Sequence, residues 1–214
     1  MGHLYISDSA WYESTSLKNP ICTMDHRLAE YAPRLYRACY DTRISVVKSP
    51  TKQERAVPFY NDYRERYGTP TLPPLSPKPK NVFLCGFRQE DLRAVTPRIK
   101  ETTEVLYLYK CPRIKDLSML SEFTELRCVH MYWNHSLECL WDMRSNRFLQ
   151  AISFVDVSGL QSIDGLKDSA AEYVCLDSAD NNGKRRKMQF DPQVLDQMKH
   201  LKHLILNYVG YKTD

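Results

Sequence analysis

Residues 105–154 read VLYLYKCPRIKDLSMLSEFTELRCVHMYWNHSLECLWDMRSNRFLQAISF, and the spacing of apolar residues in this stretch decides the fold. Three segments open on an apolar–x–apolar pair: Leu106-x-Leu108, Val129-x-Met131 and Ile152-x-Phe154. After Leu106, apolar residues recur at Ile114, Leu117, Leu120 and Phe123, offsets of +8, +11, +14 and +17. The first three offsets fall again on Leu137, Leu140 and Met143 after Val129, and on Leu160, Ile163 and Leu166 after Ile152. Further out, the opening pair returns as Val82-x-Leu84, Val174-x-Leu176 and Leu204-x-Leu206. First members then lie 24, 23, 23, 22 and 30 residues apart. A unit of that size cannot bury an apolar face alone and must stack on its neighbours. The spacing predicts a solenoid of short parallel strands starting near 82, 105, 128, 151, 173 and 203. Loops or single helical turns should join them, with fuller helices near 89–100 and 191–199.

On these residues the chain resembles the leucine-rich repeat proteins, specifically the internalin-like class with units of about 22 residues. The resemblance covers roughly residues 80–212. The family's asparagine-or-cysteine position falls on Cys111 and Asn134, whereas the next two units hold Val157 and Ala179, so less regular units are expected there. It implies an α/β fold, a leucine-rich repeat solenoid with parallel strands on its concave face, and a binding role for that face. Fold alone does not specify function.

The first 80 residues differ in kind. Nine of the twelve prolines lie here, and residues 68–80, GTPTLPPLSPKPK, form a proline-rich connector to the repeat domain at 81–214. Residues 1–67 carry Tyr5, Trp11, Tyr12, Tyr31, Tyr36, Tyr40, Phe59, Tyr60, Tyr63 and Tyr67, more apolar surface than a disordered tail offers. They read as an irregular, partly helical N-terminal cap, with short helices near 25–40 and 58–67, or else as an independent interaction module.

Charge separates the same two regions. Residues 1–80 hold 12 Lys/Arg against 8 Asp/Glu, and residues 81–214 hold 18 of each. The repeats therefore lack a basic stripe of the kind a phosphate backbone selects, and nucleic acid is not an expected partner. Lys184-Arg185-Arg186-Lys187, within the interval of 30, reads as a solvated loop, or else as an anionic contact or a localisation signal. No apolar run reaches the roughly 18 residues of a membrane span, and the opening MGHLYISDSAW lacks the features of a signal peptide. Seven cysteines with no C-x-x-C pair suit a reduced chain, so a cytoplasmic location is expected. No metal ligand spacing or cofactor motif is present, and no metal, cofactor or small-molecule substrate is expected.

Strand side chains alternate, so residues following the inward position should face outward. One outward column reads Phe83, Tyr107, His130, Ser153, Cys175, Ile205. The next reads Cys85, Tyr109, Tyr132, Val155, Asp177, Asn207, and the residue after it gives Gly86, Lys110, Trp133, Asp156, Ser178, Tyr208. With parallel strands about 4.8 Å apart, Tyr107, Tyr109, His130, Tyr132 and Trp133 should form one exposed patch flanked by Asp156 and Asp177, the alternatives being that the N-terminal segment covers it or that the columns slip by one residue. Clustered aromatics of this kind suit capture of a protein partner. The expected role is non-catalytic, as a dedicated inhibitor such as an immunity protein, or as an adaptor holding a second partner through residues 1–67. His130 and Ser153 on adjacent strands superficially offer a base and a nucleophile, but an open sheet supplies no oxyanion hole and excludes no water, so enzymatic activity is not expected.

Overall fold

The computed structural model describes residues 44–47, 80–178, 188–207 and 209–211. Its centre is an open, all-parallel sheet of seven strands: β1 (Ile44–Val47), β2 (Asn81–Cys85), β3 (Val105–Tyr109), β4 (Cys128–Asn134), β5 (Ala151–Val157), β6 (Tyr173–Asp177) and β8 (His203–Asn207), in that spatial order. Two three-residue strands, β7 (Met188–Phe190) and β9 (Val209–Tyr211), pair separately in parallel. Among the described residues, one α-helix, α1 (Gln89–Ile99), and three 3-10 segments lie in the connections. No helix among the described residues is long and apolar enough to cross a membrane.

Each strand of the seven-stranded sheet pairs with the next strand of that sheet in chain order, β7 being skipped, and the register places the apolar pairs side by side. Val82 meets Leu106, Leu106 meets Val129, Val129 meets Ile152, Ile152 meets Val174, and Val174 meets Leu204. A repeated backbone contact holds this alignment. The carbonyl just before each strand from β2 to β6 accepts two N–H groups from the next unit. Lys80 O accepts from Glu104 and Val105 (2.7 and 3.0 Å), Glu104 O from Arg127 and Cys128 (2.7 and 3.0 Å), and Arg127 O from Gln150 and Ala151 (2.8 and 3.1 Å). Gln150 O serves Glu172 and Tyr173, and Glu172 O serves Lys202 and His203.

The core lies between the sheet and the connecting segments. Val82, Leu106, Val129, Ile152 and Val174 are fully buried, and the residues at +8, +11 and +14 close over them: Ile114, Leu117 and Leu120, then Leu137, Leu140 and Met143, then Leu160, Ile163 and Leu166. Helix α1 adds Leu92, Val95 and Ile99, spaced to share one face. Close approach of successive connections requires glycine at Gly159, where a Cβ would press on the His135 and Leu137 carbonyls, and most tightly at Gly165. A Cβ at Gly165 would overlap the Trp141 carbonyl.

Buried polar side chains tie the β4–β5 connection to the β3–β4 connection before it. Asn134 is fully buried; its amide donates to Cys111 O (2.7 Å) and Ile114 O (2.9 Å), and its Oδ1 accepts from the N–H groups of Ser136 and Leu137. In the preceding unit the Cys111 thiol contacts Leu84 O and Tyr109 O at 3.5 and 3.4 Å, a weaker version of the same bridge. Asn146 forms a second rung, donating to Leu120 O and Phe123 O and accepting from the Trp141 indole. Its residue type and role were not anticipated, although it stands at the +17 offset occupied by Phe123 one unit earlier.

The strand starts and α1 agree with the sequence reading. Two expectations need correction. The segment expected as a fuller helix near 191–199 is a 3-10 run, Pro192–Gln197, started by Asp191 accepting from Gln193 N–H. Within residues 1–67, Ile44–Val47 is a strand in register with β2, which the sequence reading did not foresee. The helices expected near 25–40 and 58–67, the connector up to residue 79, Ala179 and the Lys184–Lys187 run lie outside the described residues.

Two stability outcomes follow from this packing. Ile152→Ala should cost about 2–5 kcal/mol through lost burial and an unfilled cavity, with loss of hydrogen-exchange protection spreading into β4 and β6; a change confined to β5 would contradict it. Asn134→Ala strands two carbonyls and the Leu137 N–H in the interior and should cost at least about 2 kcal/mol in denaturant unfolding.

Candidate strand-end recognition ledge

The residues expected as an open patch divide into two sets. Tyr107, Tyr109 and His130 are buried, at 1%, 3% and 0% exposure, and so are Asp156 and Asp177 at 5% and 7%. Tyr132 and Trp133 are half-buried. The expectation of a solvent-facing aromatic face across β3 and β4 is therefore overturned. Side chains on the sheet face away from the main core, including Val105, Cys128, Ala151, Tyr173 and Cys175, are equally buried. Large rings there lie against one another: Tyr107 meets His130 edge-on with centroids 4.5 Å apart, and Tyr109 meets Tyr107 at 6.0 Å. The face is a second packed layer.

What the strands do present is their C-terminal ends. Tyr132 stacks on Tyr109 with centroids 5.6 Å apart and planes 15° from parallel. The Lys110 ammonium sits 5.0 Å from the Tyr109 ring centroid, a cation–π arrangement. Trp133 stands edge-on to His135 at 5.9 Å, and His135 Nδ1 lies 2.8 Å from Ser158 Oγ. Lys110, Tyr132, Trp133 and His135, all half-buried, form a narrow ledge along the ends of β3 and β4.

The backbone of this ledge is strained in a regular way. Gly86, Lys110, Trp133 and Asp156 occupy equivalent positions four residues after Val82, Leu106, Val129 and Ile152, and all four have positive φ, 71°, 48°, 61° and 58°. Glycine adopts this conformation freely, but an L residue there costs about 1–2 kcal/mol. A bulky residue such as Trp133 is unusual there. The turn it makes brings Asn134 into its bonding position and holds the indole at the surface.

His130 and Ser153 are register partners on β4 and β5, as expected, and both are fully buried. Ser153 Oγ has no hydrogen-bond partner among the described residues. A second concavity, on the connecting-segment side, is lined by Leu140, Asp142, Arg144, Gly165, Lys167 and Asp168. Its charges are paired: Arg144 holds the Asp142 carboxyl down at about 2, Lys167 bonds Asp164 at 2.7 Å, and Asp168 faces Lys199, outside the lining, at 4.0 Å. Among the described residues, no group of three or more His, Cys, Asp or Glu side chains is placed to hold a metal ion. The chain matches no protein-family model and no curated protein.

The strain at position 133 has a measurable consequence. Trp133→Gly removes the same indole as Trp133→Ala but relaxes the backbone, so the glycine variant should be more stable by about 1 kcal/mol. A glycine variant that melts lower than the alanine variant would contradict the left-handed conformation.

Proposed function

We propose that this chain is a leucine-rich repeat solenoid that serves as a non-catalytic binding module, capturing a protein partner on the ledge of Lys110, Tyr132 and Trp133. The observation that carries this reading is Trp133 itself. It is a half-buried indole kept at a left-handed position where the equivalent residue two units earlier is Gly86. Strain of that kind persists where the surroundings over-determine it and function uses it. Tyr and Trp combine large apolar area with a hydrogen-bonding tip at little entropic cost.

The ledge is also preorganised. Tyr132 is held by its stack on buried Tyr109, and Lys110 by the face of the same ring. Rigid contact groups lose little freedom on association, which favours a dedicated, tight interaction of the inhibitor or immunity-protein type. The burial of both His130 and Ser153 counts against the enzymatic alternative, since a nucleophile must meet its substrate.

Affinity purification from the native host with the tagged full chain identifies the partner, and variants then locate the contact. Trp133→Ala and Tyr132→Ala should each weaken binding at least about thirtyfold, a loss of about 2 kcal/mol. Lys115→Ala, Glu122→Ala and Arg144→Ala, at exposed sites on the connecting segments, should leave it unchanged. Normal binding by both aromatic variants would remove the ledge from consideration.

A further inference from the structure

We infer that the outer edge of β8 is a docking site for an extended segment of a partner protein, added as a parallel strand and reading acidic–x–apolar–x–apolar. This inference is independent of the ledge. It rests on three features that recur along the sheet and stop at β8.

The first is the row of core positions. Val82, Leu106, Val129, Ile152 and Val174 are each at 0% exposure, because a strand lies on either side of each. Leu204 occupies the next place in that row, opposite Val174, yet is 41% exposed. Leu206, opposite Leu176, is only partly buried against the core. Among the described residues β8 has a strand neighbour on one edge only.

The second feature is the carbonyl relay. Lys80, Glu104, Arg127, Gln150 and Glu172 each accept two N–H groups from the following unit. Lys202 is the next position in that series, and no N–H of a described residue donates to its carbonyl. An added parallel strand would supply the missing pair, as extended peptides do when they join exposed sheet edges.

The third feature selects the sequence of the incoming segment. Side chains at the relay positions alternate in sign: Lys80 bonds Glu104 at 2.7 Å, Arg127 approaches the same carboxylate at 3.7 Å, and Lys202 bonds Glu172 at 2.9 Å. Only Gln150 interrupts the order. Glu104 thus stands between two cations. Lys202, exposed and bonded to Glu172 on one side, offers the matching place between two carboxylates. An acidic residue beside Lys202 puts the segment's next alternate residues opposite Leu204 and Leu206, where apolar side chains complete the core row. Unprotected apolar edges are otherwise a hazard that proteins blunt with charge.

The full chain is titrated into a fluorescein-labelled synthetic peptide copying Glu172–Asp177, with serine in place of Cys175, and into a second peptide that carries Glu172→Lys. Anisotropy should show the acidic peptide binding at least about tenfold more tightly, since like charges across a contact are strongly disfavoured. In Lys202→Glu the preference should reverse, and in Leu204→Lys neither peptide should bind. Both side chains are exposed, so unchanged melting temperatures verify that the variants are folded. Equal affinity for the two peptides, binding that survives Leu204→Lys, or no binding at millimolar peptide would overturn the inference. So would a dimer in light scattering that Leu204→Lys dissolves, because it would assign the edge to a second copy of the chain.

Discussion

A peptide carbonyl that accepts two N–H groups from the following unit is the contact on which the rest of this structure depends. It recurs at Lys80, Glu104, Arg127, Gln150 and Glu172 and ties the start of each strand to the start of the next. Side chains alternate across a sheet, so a slip of one residue would send the whole Leu106–Val129–Ile152 row to the wrong face. With the starts pinned, the core rows, the charged ladder and the left-handed strand ends all fall into line. The buried amides of Asn134 and Asn146 do the same for the connecting segments, bridging one turn of chain to the next through carbonyls that would otherwise lie unsatisfied.

Packing on both sides of the sheet changes where recognition can occur. A face made of Tyr107, His130, Ser153 and Cys175 at no more than 1% exposure has nothing to offer a partner without rearrangement. The strand ends and the last strand edge are different, because backbone geometry limits how completely they can be covered. At the ends of β3 and β4, Lys110 and Trp133 turn the chain sharply in the left-handed conformation and keep half-buried side chains at the surface. At the edge, the sheet's hydrogen-bonding direction points outward at β8.

Much of the fold was legible from spacing alone, because a repeated apolar offset is a direct record of burial against a neighbour. The starts of β3 to β6 follow from it, while the position of Asn134 was singled out only by the resemblance to leucine-rich repeats. The burial of Tyr107 and Tyr109 was also written in the chain but read differently. A strand with one wet face alternates apolar and polar residues, and Val105–Tyr109, VLYLY, does not alternate. Uninterrupted apolar runs belong to strands covered on both sides. Asn146 was missed because a polar residue at +17 breaks the apolar pattern while keeping its offset. β1 was missed because Ile44-x-Val46 stands 38 residues before Val82, outside the period. The left-handed conformation of Trp133 had no sequence signal beyond Gly86 in the same column, since aromatic residues seldom adopt it.

The interval between Val174 and Leu204 is 30 residues where its predecessors are 22 to 24, yet β6 and β8 pair with no shift in register. Chain length and strand alignment are thus separate variables in this architecture. The strand side behaves as a ruler with fixed divisions, set by the double hydrogen bonds, while the far side is slack that can lengthen without disturbing it. Loop closure grows only slowly more costly with length. Such a molecule can acquire or shed whole peptides on its connecting side, and so change what it displays there, while its strand ends keep the same geometry.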